Sequence, residues 1–186
     1  MARDILKYIG LFVLLLFLQL FIFNNIQLSG YINPYVYILF ILLLPYEISG
    51  WLLLGLAFIT GICVDSFMNT YGMHTSATLL LAFLRPYLLR LISSREDVDK
   101  KGSPSIYSNG FTWFLKYAFF LTLAHHFMLF FIESFTFTTF FHTLLRVVLS
   151  TIVTTSFILL STFLLVKSKY TNQCRLVNKL AQNTDH

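Results

Sequence analysis

VVLSTIVTTSFILLSTFLLV, residues 147–166, separates Arg146 from Lys167 by 20 positions without a charge. An α-helix rises about 1.5 Å per residue, so the run matches a hydrocarbon core of about 30 Å. It predicts a membrane-spanning helix with a cation at each interface. Applied outward from there, the same yardstick marks six candidate spans, at about 5–23, 30–46, 49–67, 71–85, 112–132 and 142–166.

Composition agrees with a lipid-facing chain. Of the 186 residues, 57% are hydrophobic and 11% charged, against about 25% charged in soluble domains. No shift in composition divides the chain, so residues 1–166 read as one transmembrane domain followed by a basic tail at 167–186. The fold class expected is an all-α integral membrane bundle of six helices. The 13 Lys and Arg outnumber the 8 acids, yet they fall in three clusters between apolar runs and form no single patch for a nucleic acid. Cys63 and Cys174 offer neither a paired framework nor a CxxC motif. Arg3 and Lys7 before an apolar run also open a signal peptide, but this run is too long and lacks a small-residue cleavage site. It is read as a retained first span.

Positive charge flanking a span is held in the cytoplasm. In a six-span arrangement the cytoplasmic side collects Arg3 and Lys7, then Arg85, Arg90, Arg95, Lys100, Lys101 and Lys116, then Lys167, Lys169, Arg175 and Lys179, leaving Arg146 alone outside. Both termini are therefore expected in the cytoplasm of a bacterial inner membrane. Trp51, Trp113 and Tyr46 fall at cytoplasmic ends, where interfacial aromatics belong.

The second span is the weakest, because only Tyr35 to Leu44 is free of proline and strongly polar side chains. Were it re-entrant, five spans would remain and Arg3 and Lys7 would face outward, against the charge bias. The stretch SSREDVDKKGSPSIYSNG, residues 93–110, reads as a solvated cytoplasmic loop. Just before it, Leu84, Tyr87, Leu88, Leu91 and Ile92 recur at helical spacing with Arg85 and Arg90 opposite. Two readings stand: a helix lying in the interface, or the fourth span continued with snorkelling arginines.

Ionisable residues inside spans are candidates for function, since a charge at the membrane centre costs at least about 2.5 kcal/mol. Asp65 falls near the outer end of the third span, either as a solvated or helix-end carboxylate or buried against a cation. Arg146 belongs at the outer interface, anchored to headgroups or paired with Asp65 or Glu133, and His142 shares its face. His125 and His126 fall near the midplane. Neighbouring helical residues point about 100° apart, so one metal cannot easily take both. They read as neutral rings bonded to hydroxyls of the sixth span, with a proton relay or metal site as the sharper alternative. That span carries Ser150, Thr151, Thr154, Thr155, Ser156, Ser161 and Thr162, which suit close packing and interhelical hydrogen bonds. There is no HExxH, GxSxG, SxxK or phosphate-binding glycine loop. No catalytic residue, metal site or cofactor is expected, and Asp65, His125, His126, Glu133 and Arg146 are taken as structural or partner-facing polar residues.

From Pro34 to Leu89 the chain resembles the rod shape-determining protein MreD family. The matching features are Pro34 opening a short second span, Gly55 and Gly61, Asp65 closing the third span, and Gly72 followed by small residues entering the fourth. The long 93–110 loop and the 21 phenylalanines depart from it. The resemblance implies a small helical fold like that of the substrate-binding subunits of energy-coupling-factor transporters. It further implies a non-catalytic scaffold of cell-wall elongation that binds an MreC-like bitopic protein, with the MreB filament, RodA and a transpeptidase as associated partners.

A subunit of the same general fold that captures a vitamin-like molecule for transport is the competing reading. The first span, with Gly10 as its one small residue, offers little for docking a transporter partner. A third reading is an intramembrane enzyme using His125, His126 or Asp65.

Overall fold

The computed structural model describes residues 2–25, 33–93, 102–134 and 140–184, with side chains placed at 5–24, 33–93, 102–134 and 140–164. Every regular element among them is a helix. In chain order these are α1 (Ala2–Phe21), a 3-10 turn at Phe23–Asn25, α2 (Ile38–Leu42), α3 (Gly50–Met68), α4 (Met73–Ile92), α5 (Ile106–Asn109), α6 (Phe111–Ser134) and α7 (Phe140–Thr184). Four helical stretches are long and apolar enough to cross a membrane: Gly50–Met68, Met73–Ile92, Phe111–Ser134 and Phe140–Leu164, while Ile5–Phe21 of α1 is apolar but shorter.

α3, α4, α6 and α7 pack in that order, each against the next, and α1 rests on α2 and α3. Tyr117 of α6 meets Arg85 of α4 near one end, and His74 and His125 share Tyr37 nearer the other. These contacts run the two helices antiparallel. Large apolar side chains on the outer faces stay uncovered, among them Phe17, Trp51, Phe58, Phe120, Leu145 and Phe163. Such a surface suits hydrocarbon as its solvent.

The α3–α4 joint follows from local chemistry. Asn69 ends α3 in the left-handed conformation, with φ 55°, and its N–H returns to the Asp65 carbonyl. Gly72, at φ 89°, begins α4 and brings no side chain to cap it. Gly61 lets the helices touch, because a Cβ there would lie 2.3 Å from Thr75 Cα.

Two expectations are corrected. Residues 30–46 were expected as a second membrane helix; 30–32 lie outside the described residues, and 33–46 contain only the five-residue α2 between turns. The fourth span runs to Ile92 as a continuous helix, beyond the expected end at 85, with Pro86 inside it. This removes the separate interfacial helix. Of the expected solvated loop, residues 94–101 lie outside the described residues. Residues 102–110 include α5 and are tied down by Tyr46 N–H to the Gly102 carbonyl (2.9 Å) and by Tyr8 Oη with Ser103 Oγ (2.7 Å). The 167–186 tail continues α7 as helix to Thr184.

Candidate functional site

The interior is organised around the segment 33–46. Pro34 to Leu42 and Leu44 are all buried, although only Ile38–Leu42 of this backbone is α-helical. In lipid, irregular backbone is tolerated only where protein surrounds it and supplies partners, since each unsatisfied group costs several kcal/mol. Here the partners are side chains drawn from four helices.

At the first end, Ser150 Oγ of α7 accepts the Asn33 N–H (3.3 Å) and Thr154 Oγ1 accepts the Tyr35 N–H (3.2 Å). Gln19 of α1, fully buried, accepts the Val36 N–H at 2.8 Å and donates to the Pro34 carbonyl at 3.3 Å. At the other end, Tyr117 Oη of α6 donates to the Leu42 carbonyl at 3.0 Å. Arg85 of α4, 1% exposed, donates from Nε to Tyr117 Oη (2.8 Å), from Nη1 to the Pro45 carbonyl (3.5 Å), and from Nη2 to the Leu44 carbonyl. A guanidinium satisfied by carbonyls at the end of a short helix also meets the negative pole of that helix. The snorkelling reading of Arg85 is therefore overturned.

Between these ends Tyr37 sits among histidines. Its hydroxyl lies 3.0 Å from His74 Nδ1 and 2.8 Å from His125 Nε2. One hydroxyl proton cannot serve two bare nitrogens, so one ring must donate and the other accept. His126 stands in a second chain. Its Nδ1 lies 2.8 Å from the Thr122 carbonyl, which can only accept, so Nδ1 carries the proton. Its Nε2 lies 3.2 Å from Thr154 Oγ1, the same hydroxyl that takes the Tyr35 N–H. The expected bond from a histidine to a sixth-span hydroxyl is thus made by His126, whereas His125 turns to Tyr37.

Asp65 is 7% exposed, and its carboxylate is met by hydroxyls and backbone amides. Oδ1 accepts from Thr70 Oγ1 (2.6 Å) and the His74 N–H (3.0 Å), while Oδ2 accepts from the Thr75 N–H (2.9 Å) and Thr75 Oγ1 (2.6 Å). Two of these donors are first-turn amides of α4, so a carboxylate one helix earlier replaces the cap that Gly72 cannot provide. A negative charge is also favoured at a helix N-terminus.

Arg146 pairs with Glu133 at 3.0 Å, with side chains 25% and 39% exposed, and its guanidinium lies 4.2 Å over the Phe130 ring. Of the sequence alternatives, the Glu133 pair is the one formed; Asp65 is engaged elsewhere. The five candidate residues thus divide between the α3–α4 joint, the centre and the α6–α7 end. Among the described residues no group of three or more His, Cys, Asp or Glu could hold a metal ion. Gln19, Tyr37, His74, Arg85 and Tyr117 were missed as members of one network. The available signal was that Gln19 is the one strongly polar residue between Lys7 and Asn24.

No family model, curated protein or solved structure matches the chain.

Proposed function

We propose that this chain is a non-catalytic, multi-pass scaffold of the bacterial cytoplasmic membrane, of the MreD type, organising cell-wall elongation by binding an MreC-like bitopic protein. The observation that carries the reading is where the interior polar side chains are committed. Gln19, Arg85, Tyr117, Ser150 and Thr154 bond the backbone of 33–46, and Asp65 bonds that of α4. These contacts commit those groups to holding backbone. Three positions that carry the resemblance, Gly61, Asp65 and Gly72, act together in the α3–α4 joint. A pattern with such a mechanical purpose supports a shared fold better than the same letters alone.

In this reading the chain keeps a six-segment topology with both termini in the cytoplasm. The outer faces then meet lipid and the spans of partners, with MreB, RodA and a transpeptidase in the same assembly. Depletion in the native cell is the test: rod shape should be lost, and the tagged chain should co-purify with a bitopic membrane protein. Retained rod shape on full depletion would overturn the proposal.

A further inference from the structure

The α3–α4 connection holds a residue that its own backbone disfavours. The Thr70 carbonyl accepts the Met73 N–H at 2.9 Å, which makes Tyr71 and Gly72 the two central residues of a tight turn. Both have positive φ, 32° and 89°. Such a turn takes Asn, Asp or Gly at its first central position, because at positive φ a Cβ crowds the carbonyl oxygen. Asn69, at φ 55°, shows the usual choice two positions earlier. At 71 the chain carries tyrosine instead. The turn is held in place by the Thr70 N–H on the Asp65 carbonyl (3.2 Å) and by Thr70 Oγ1 on the Asp65 carboxylate (2.6 Å). A bulky residue kept in such a conformation is there for its side chain, not for its backbone.

The fold itself makes no use of that side chain, since Tyr71 is 100% exposed. Phe67, one turn back on α3, is 69% exposed, and Trp51, at the opposite end of the same helix, 89%. α3 has 19 residues and is about 27 Å long, so Trp51 and Tyr71 bracket roughly one hydrocarbon thickness. A phenol suits the boundary between acyl chains and headgroups, where its ring is in apolar surroundings and its hydroxyl is wet. A phenylalanine one turn inward belongs in hydrocarbon. Phe67 followed by Tyr71 therefore repeats, along the helix axis, the polarity gradient of a bilayer surface.

We infer that Tyr71 is a lipid-headgroup anchor whose ring seats the α3–α4 joint at the membrane interface opposite Trp51. The ligand is the phospholipid surface, whose ester and phosphate oxygens accept the phenol O–H. A protein is the other candidate occupant. One ring flanked by the uncharged Asn69, Thr70 and Gly72 offers a protein a single contact and no charge to pair, whereas a lipid surface needs nothing more. The inference rests on the chain crossing a membrane and is independent of the scaffold role.

The test uses the full chain in phosphatidylcholine nanodiscs, with isotope-labelled tyrosines and the Tyr71 ring resonance assigned by its loss in Tyr71→Phe. Lipid spin-labelled near the carbonyl end of its acyl chain should broaden that resonance at least threefold more than lipid labelled near the methyl end. Stronger broadening by the methyl-end label overturns the proposal. So does broadening by a water-soluble relaxation agent with none from either lipid, which would mark a face held for a protein. Tyr71→Gly separates anchoring from mere residence, and because glycine accepts positive φ without steric cost, the variant keeps the turn. With the ring gone the joint should change depth, shifting the ratio of the two lipid effects on the Met68 and Met73 methyl resonances at least twofold. An unchanged ratio overturns the anchor. Neither readout depends on rod shape, so a failure here leaves the scaffold reading standing.

Discussion

The α3–α4 joint and the 33–46 segment are both buried and both depend on polar side chains, but they do so in opposite ways. In the joint the backbone is helical on either side, and one carboxylate, Asp65, satisfies the first-turn amides that helices leave open. In the segment the backbone is mostly irregular, and its groups are met one at a time from α1, α4, α6 and α7. Gln19, Asp65, Arg85 and Tyr117 mark the places where helical self-sufficiency fails. The joint concentrates its dependence in a single residue, while the segment distributes it across the bundle.

The largest effect should come from Arg85, because it alone serves two carbonyls and orients the tyrosine that serves a third. Arg85→Leu should cost about 4 kcal/mol in denaturant unfolding in micelles, from several buried acceptors left unpaired. Arg85→Lys should restore less than half, since an ammonium lacks the planar fork. A loss below about 1 kcal/mol for Arg85→Leu would mean that the segment end is wet rather than sealed.

Asp65→Ala ranks next, at about 3 kcal/mol, since two hydroxyls and two helix amides lose a charged acceptor. Asp65→Asn keeps an acceptor oxygen and should cost about half as much. Hydrogen exchange separates the two regions: Asp65 variants should expose the first-turn amides of α4 while leaving Val36 protected, and Arg85→Leu should do the reverse. Identical exchange patterns would show that joint and segment form one cooperative unit.

Gly61→Ala follows, at about 2 kcal/mol, as typical overpacking. Its methyl would meet the Thr75 backbone rather than the end of a side chain, so the helices must separate. The matching control is Gly55→Ala, where nothing lies within 4 Å of an added Cβ. It should be neutral or slightly stabilising, because alanine favours helix over glycine by about 1 kcal/mol. Equal effects at the two glycines would deny the close α3–α4 contact.

The joint was partly legible in the sequence, and the segment was not. α3 and α6 fall within two residues of the spans expected at 49–67 and 112–132, because length and unbroken apolarity decide such helices. Asp65 and the glycines were visible as punctuation, and they act over a short chain distance. The run Tyr35 to Leu44 is as apolar as a helix of the same length. The amides it leaves outside the helix, at Tyr35 to Tyr37, are met by partners as far away as Thr154, 119 positions along the chain. Hydropathy records what side chains prefer and is blind to where backbone groups find partners. Arg85 misled for the same reason: beside an interfacial pattern a cation reads as surface, and only the carbonyls of Leu44 and Pro45 reveal it as interior.

The smallest effect belongs to the Arg146–Glu133 pair at the α6–α7 end. Both side chains are partly exposed, so solvent screening should hold the contribution of the pair to about 0.5 kcal/mol. Arg146 also lies over Phe130, and that contact survives when the acid is neutralised. Glu133→Gln should therefore shift unfolding by no more than about 0.5 kcal/mol, and the shift should vanish in high salt. Arg146→Ala should cost about 1 kcal/mol more through the lost ring contact. If Glu133→Gln instead matched Asp65→Ala, the α6–α7 end would have to be counted with the dry interior. The division between backbone-bonded polar groups and surface pairs would then have to be redrawn there.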